Sequence, residues 1–349
     1  MLKYLILCLF YFLTFLVTTS SAAQVNAFIY HRFDENRYPS TNISAETFTQ
    51  QLEYLKNSNI EVVSLGAVAT RLKDKQQLPD HAASISIDDA FRSFYDVCMP
   101  IIRRYGFPVT LFVNTDSVGT SGYLNWDEIK ELAAEGVEIG NHTASHAYLV
   151  EMEPAETYSQ WQKRIKGDIE RAQKHFEDHL GFRPDIFAYP FGEYSPTVIE
   201  IVQGLGFKAA FAQQSGVIYS GSNRFILPRF PMGGPFATVD GFKSKFSMQP
   251  LQVFAQTPLD PVIQNNPPVL SFQLQGQGKI DPQQFNCFVQ GENRCWVEID
   301  ESDGYKIVAE QPLTGRRNKY TITLQTRQGD WLWYSHLWIN AKKKAQYQE

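Results

Sequence analysis

From Gln24 to about Phe246 the chain alternates short apolar runs with longer amphipathic ones. No other feature constrains the fold as much. The runs 26–30, 84–87, 109–114, 137–140, 185–188 and 209–212 have the length and composition of strands. Between and beside them, 45–57, 93–105, 126–135, 158–179 and 196–205 read as helices. Ser44 is a candidate cap for the first, which carries Phe48, Leu52 and Leu55 on one face. Pro100 is expected to kink the second, and Gly106 and Pro108 end it. Strands separated by helices predict an α/β fold with a parallel sheet or barrel and the helices outside.

Beyond Phe246 the helical periodicity stops. Pro250, Pro258, Pro261 and the stretch 264–268 mark a linker over 247–268. The runs 269–274, 285–290, 295–299, 305–309, 320–326 and 331–339 are short, strand-like and separated by turn signals. They predict a small β-sandwich over 269–349. A length of 349 residues accommodates two such domains at about 150 residues each.

The N-terminus carries Lys3, an apolar run over 4–17 and small residues over 18–23. This is the pattern of a secretory signal peptide, 1–23, cleaved after Ala22 or Ala23. A spanning helix needs about 20 apolar residues, so the run is short for an anchor. The expectation is an exported protein, periplasmic or extracellular, with no stable membrane span after cleavage. Cys287 and Cys295 could close a short loop in an oxidising compartment, whereas Cys98 lies in a helical pattern and reads as a buried thiol. The net charge is −5 and no basic stripe is visible, which argues against nucleic acid as a partner. Nothing in the sequence speaks to oligomeric state.

Three groups could carry chemistry, each directly after an expected strand: Asp88-Asp89, His142-Thr143-Ala144-Ser145-His146, and Tyr189-Pro190-Phe191-Gly192. In a parallel barrel such positions gather on one rim. His142 and His146, four residues apart, would share a face in a helical turn and could hold one metal ion. One Asp with two His suits a catalytic divalent ion with open positions. Neighbouring residues of an extended chain point to opposite sides, so Asp88 and Asp89 divide the labour. Asp89, His142 and His146 form the expected ligand set, with Asp88 beside it as a base.

These blocks resemble the polysaccharide deacetylase family, the NodB-homology domain of carbohydrate esterase family four. Ile87-Asp88-Asp89 matches its first motif, 142–146 its second, and Pro190-Phe191 its third, over about 27–233. The resemblance implies a distorted (β/α) barrel, a divalent metal ion with Zn2+ expected, and removal of acetyl groups from an N-acetylglucosamine-containing glycan. It implies Asp88 as general base and the Phe191 backbone N–H as oxyanion donor. The Arg that commonly precedes the third-motif Pro by two residues is here Ala188, and the late Leu-x-x-His block is absent. A subgroup similar to poly-β-1,6-N-acetylglucosamine deacetylases carries that block at the N-terminus, where Phe28-Ile29-Tyr30-His31 fits. His31 is therefore the candidate general acid.

Tyr189, Pro190, Trp126 and Arg229 are the substrate-binding candidates. Arg229 reads first as a surface charge, with pairing to Asp88 as the alternative. On the run 331–338, Trp331, Trp333 and Leu337 share one face and Tyr334, His336 and Trp338 the other; packing is favoured over sugar stacking. Arg316, Arg317 and Lys319 are read as a solvated turn, with attraction of an anionic glycan as the alternative. Two competing functions stand beside the deacetylase. One is a catalytically impaired glycan-binding protein that keeps the fold; the other is a metal-free glycosidase using Asp88 or Asp89.

Overall fold

Seven parallel strands run through the N-terminal sheet, β1 (Gln24–Tyr30), β2 (Ala82–Asp88), β3 (Thr110–Val113), β4 (Glu138–Asn141), β5 (Ile186–Ala188), β6 (Ala209–Phe211) and β7 (Phe230–Pro231), and a short eighth strand, Ile218–Tyr219, pairs antiparallel with β1. In the computed structural model, which describes residues 23–275, 280–289, 294–299 and 304–341, the seven pair in parallel in the order β7-β1-β2-β3-β4-β5-β6. The signal-peptide expectation falls, but for Ala23, outside the described residues. The sheet curls until its edges are spanned by 227–231. Leu227 bridges to Phe211 of β6, and Phe230 and Pro231 pair with Phe28 and Ile29 of β1. Arg229 sits between these two attachments and is fully buried.

The helices α1 (Ala45–Asn57), α2 (Leu65–Lys73), α3 (Met99–Tyr105), α4 (Trp126–Ala134), α5 (Tyr158–Leu180), α6 (Pro196–Gly204) and α7 (Val239–Phe246) pack around this sheet. Most begin at a side-chain cap: Ser44 Oγ accepts from the Thr47 N–H, and Asn125 and Thr157 form reciprocal capping boxes. Pro100 does not kink a helix. It stands in the first turn of α3, where its missing N–H costs nothing, and a π-helical turn (Phe94–Cys98) precedes it. Helices α2 and α7 add to those that the periodicity predicts. Leu65, Val68, Ala69 and Leu72 of α2 pack with Val25, Ala82, Ile186 and Ala209 near the strand starts, leaving the opposite rim for chemistry.

Eight further strands follow: β8 (Gln249–Pro250), β9 (Val253–Thr257), β10 (Val269–Leu274), β11 (Phe285–Phe288), β12 (Cys295–Ile299), β13 (Tyr305–Ala309), β14 (Arg317–Gln325) and β15 (Trp331–Ile339). They form two four-stranded sheets, β8-β15-β14-β11 and β9-β10-β13-β12, around a core that includes Leu270, Phe272, Ile307, Tyr320, Ile322 and Trp338. The expected linker 247–268 is itself structured. It contains β8 and β9, and the Ile263 N–H donates to the Ile339 carbonyl while the Ile339 N–H donates to that of Pro261. The prolines are compatible with these strands because Pro250 ends β8 and Pro258 directly follows β9. Cys287 and Cys295 form a disulfide joining β11 to β12, and Cys98 is a buried thiol.

Strand β15 is buried on both faces. Leu332 and Trp338 enter the sandwich core, while Leu337 and Ile339 join the cluster formed with α5 and α6. Trp333 packs edge-on against Phe230 of β7 with ring centroids 5.7 Å apart. The Trp-rich run is thus the seam between the two units.

Candidate active site

Three strand ends and the loops after them meet on one rim. Asp88 closes β2, and Asp89 and Ala90 follow it with φ of 76° and 56°. His142 follows β4, and Thr143 and His146 adopt φ of 64° and 56°. Phe191 follows β5 with φ of 59°. Left-handed backbone at non-glycine residues is costly, and it persists only where the surroundings over-determine it. The two histidines lie on a loop, not on the helical turn that would put both on one face. That loop is held by short-range bonds: the Thr143 N–H donates to Asn141 Oδ1 at 2.7 Å, and the His146 N–H to Thr143 Oγ1 at 3.0 Å. Asp168 of α5 accepts from both the N–H and the hydroxyl of Ser145. Asp168 carries no signal in the sequence, where it is one charge among many on a polar helix.

His142 and His146 converge on Asp89. His142 Nε2 lies 3.4 Å and His146 Nε2 3.2 Å from Asp89 Oδ1, and one ligand atom from each residue fits within a 4.8 Å span. His142 Nδ1 lies 2.8 Å from the Ala188 carbonyl, which can only accept, so Nδ1 carries the hydrogen and Nε2 faces the cluster. Asp89 Oδ1 and His142 Nε2 are buried with no hydrogen-bond partner among the described residues. Buried polar atoms are rarely left so. A divalent cation satisfies both, and two imidazoles with one carboxylate are a fitting donor set.

Asp88 lies beside this cluster, its Oδ2 3.8 Å from His142 Nε2. It is fully buried and gripped by Arg229, Nη1 to Oδ1 at 2.7 Å and Nη2 to Oδ2 at 2.9 Å. Burial pushes its pKa up, but Arg229 and His142 outweigh this and hold it below the usual carboxylate range. Asp89 is held well below that range: burial opposes ionisation, while His146 and His142 favour it. The reading of Arg229 as a surface charge is therefore corrected, and so is its place among substrate-binding residues. Its guanidinium also donates to Ser86 Oγ and the Ala212 carbonyl, leaving it no solvent face. His31 follows β1 on the same rim; burial lowers its pKa, and the charges of Asp89 and Asp88 act against that.

The remaining substrate-binding candidates are packing residues. Tyr189 is fully buried and donates its hydroxyl to the Phe225 carbonyl at 2.9 Å, and Pro190 is buried beside it. Trp126 stacks on His179 of α5 with centroids 4.3 Å apart. Phe191 alone of its motif reaches the cluster, edge-on to His146 at 4.4 Å. It stacks in turn on Tyr148 at 4.0 Å, and the Arg316 guanidinium covers the other side of Tyr148 at 3.8 Å. Arg317 of β14 donates to the Phe191 carbonyl at 2.6 Å. Arg316 also pairs with the fully buried Glu193 at 2.7 Å. The sandwich thus supports the third motif directly, and the solvated-turn reading of Arg316 and Arg317 is corrected.

Residues 75–210 match the family described as polysaccharide deacetylase. A poly-β-1,6-N-acetyl-D-glucosamine N-deacetylase of Staphylococcus aureus (strain MRSA252) is 24% identical over 211 residues, covering 59% of this chain and 72% of that protein. Among solved structures, IcaB from Ammonifex degensii aligns with a TM-score of 0.55 at 25% identity, covering 65% of this chain and 97% of that one. The Streptococcus pyogenes deacetylase PplD in complex with acetate aligns with a TM-score of 0.57 at 20% identity, covering 64% of this chain and 99% of that one. Over residues 75–210 this chain resembles the polysaccharide deacetylase family. It is a hydrolase of the polysaccharide N-deacetylase class.

Proposed function

We propose that this protein removes acetyl groups from an N-acetylglucosamine-containing polysaccharide or oligosaccharide, with a divalent ion, Zn2+ first, held by Asp89, His142 and His146. The observation that carries this reading is the pair of orphaned buried atoms, Asp89 Oδ1 and His142 Nε2, next to the Arg-clamped Asp88. When bound, such an ion supplies Lewis acidity toward the acetyl oxygen and makes water a nucleophile near neutral pH.

The residues of this chain divide the remaining work. Asp88 takes the water proton; its low pKa keeps it ionised at neutral pH, as a base must be. Arg229 is a positioning residue that fixes both carboxylate oxygens. The Phe191 N–H stabilises the oxyanion, a role supported by the left-handed turn that carries it against His146. His31 gives a proton to the leaving amine, supported by its place on the Asp88–Asp89 rim. The products are acetate and a glucosamine unit. We further assign 24–246 to the deacetylase barrel and the strands from β8 onward to an accessory sandwich, which takes in β8 and β9 of the stretch 247–268. Export to the periplasm or beyond is supported by the leader pattern and by the Cys287–Cys295 disulfide. Among the described residues no helix is long and apolar enough to cross a membrane.

Acetate release from β-1,6- and β-1,4-linked N-acetylglucosamine oligomers, with and without chelator, tests the proposal. The expected result is chelator-sensitive release, faster on the β-1,6 series. Asp88→Asn should reduce it by about 10²–10⁴-fold. Metal-loaded protein that releases no acetate from either series would make it the glycan-binding protein instead.

A further inference from the structure

A cavity of about 600 Å³ opens between the barrel and the sandwich. That is within the roughly 300–1,000 Å³ of small-molecule sites. Phe191, which touches His146 on one side, forms part of its wall. The cavity therefore abuts the third-motif side of the catalytic rim. Most of its opposite wall comes from the sandwich, which lies outside the matched residues 75–210.

Its charge is one-sided. Lys245, Arg317 and Lys319 line it, and among the described residues no Asp or Glu does. The chain has 37 acidic residues against 32 Lys and Arg, so an acid-free cluster of three cations departs from the background. Among the described residues none of the three forms an ion pair with a carboxylate. Lys319 donates to Ser215 Oγ at 3.4 Å, and Lys245 lies 4.2 Å over the Trp333 ring. Burial first, then Arg317 and Lys245, pulls the Lys319 pKa down to about 8. Enclosing a cation without an opposite charge is costly, and an anionic ligand removes that cost. The exposed Phe288 offers a flat face for a sugar ring at the same wall.

We propose that this cavity binds a carboxylate-bearing sugar of the glycan chain, adjacent to the sugar whose acetamido group is at Asp88 and His142. This rests on the deacetylase reading for the orientation of the chain, but binding can be measured without it. The three cations favour a uronate-type sugar over a neutral one. They repel glucosaminium, so units already deacetylated are disfavoured there.

The test is calorimetric titration of the metal-loaded full chain with three probes. These are a hexasaccharide alternating N-acetylglucosamine with glucuronate, the same hexasaccharide with its carboxylates reduced to alcohols, and free glucuronate. At about 20 mM salt the acidic hexamer should bind at least tenfold more tightly than the reduced one, and 0.5 M salt should erase the difference. Lys245→Gln with Lys319→Gln should abolish the preference while the reduced hexamer binds as before. Free glucuronate at equal concentration should not displace the acidic hexamer. Equal binding of the two hexamers in wild type overturns the proposal, and needs no variant to fold. A preference that survives in the double variant, or full competition by free glucuronate, also overturns it. Acetate release from the neutral β-1,6 oligomer by the same preparation reports separately on the deacetylase reading.

Discussion

Arg229 grips Asp88 through two parallel hydrogen bonds, 2.7 and 2.9 Å long, with both side chains fully buried. The two residues are 141 positions apart, and the partner comes from the segment that spans the gap between β6 and β1. The Arg missing from the third motif is thus replaced by one that enters from the closure of the barrel.

Removing one partner of such a pair leaves a buried charge unpaired, which typically costs about 3–5 kcal/mol. Arg229→Met should lower stability by that amount in denaturant titrations. Arg229→Lys keeps the charge but loses the fork. It should stay folded and bind metal at the wild-type ratio while kcat for acetate release falls at least tenfold. Unchanged kcat in Arg229→Lys would show that the fork does not matter.

Metal binding is measurable without turnover. One Zn2+ per chain is expected by elemental analysis of wild type, and near none for His142→Ala or Asp89→Asn. A ligand at about 100 times its Kd adds about 2.7 kcal/mol to the folded state. Zn2+ should therefore raise the wild-type Tm by several degrees and leave both variants unmoved.

The stack Arg316–Tyr148–Phe191–His146 carries the sandwich's influence to the site. Arg316→Met removes it and strands Glu193, whose pKa burial already raises against the pull of Arg316. A loss of about 3–5 kcal/mol is expected. Tyr148→Leu leaves the Glu193 pair intact, so it should reduce kcat with little change in Tm. A Tyr148→Leu enzyme as fast as wild type would show that the stack does not support Phe191.

His336 is buried among sandwich residues, and burial depresses its pKa to about 3. Unfolded, it titrates near 6.5. Above that pH neither state binds the proton, and the neutral ring's stabilisation is fully present. As pH falls below 6.5 the unfolded chain takes up a proton that the folded one refuses. Stability then declines at about 1.4 kcal/mol per pH unit, until pH approaches 3. His336→Gln should flatten this slope between pH 6.5 and 5, above the carboxylate range. Parallel urea titrations of the two proteins at those pH values measure it.

The sequence by itself determined the alternation of strands and helices, the strand-rich C-terminal third, and the residues Asp88, Asp89, His142 and His146. These are local properties: side-chain periodicity follows from backbone geometry, and each motif sits within a few residues of its own strand. Tertiary structure alone decided the rest. It put Arg229 under Asp88 because the chain between β6 and β1 closes the sheet and turns that side chain inward. It made Tyr189 and Trp126 packing residues, since their polar ends and faces find partners in distant helices and loops. It folded 247–268 into the sandwich and set Arg316 and Arg317 against the third motif. A cation's partner depends on which distant segments the packed sheets bring within about 3 Å, and no local pattern encodes that distance.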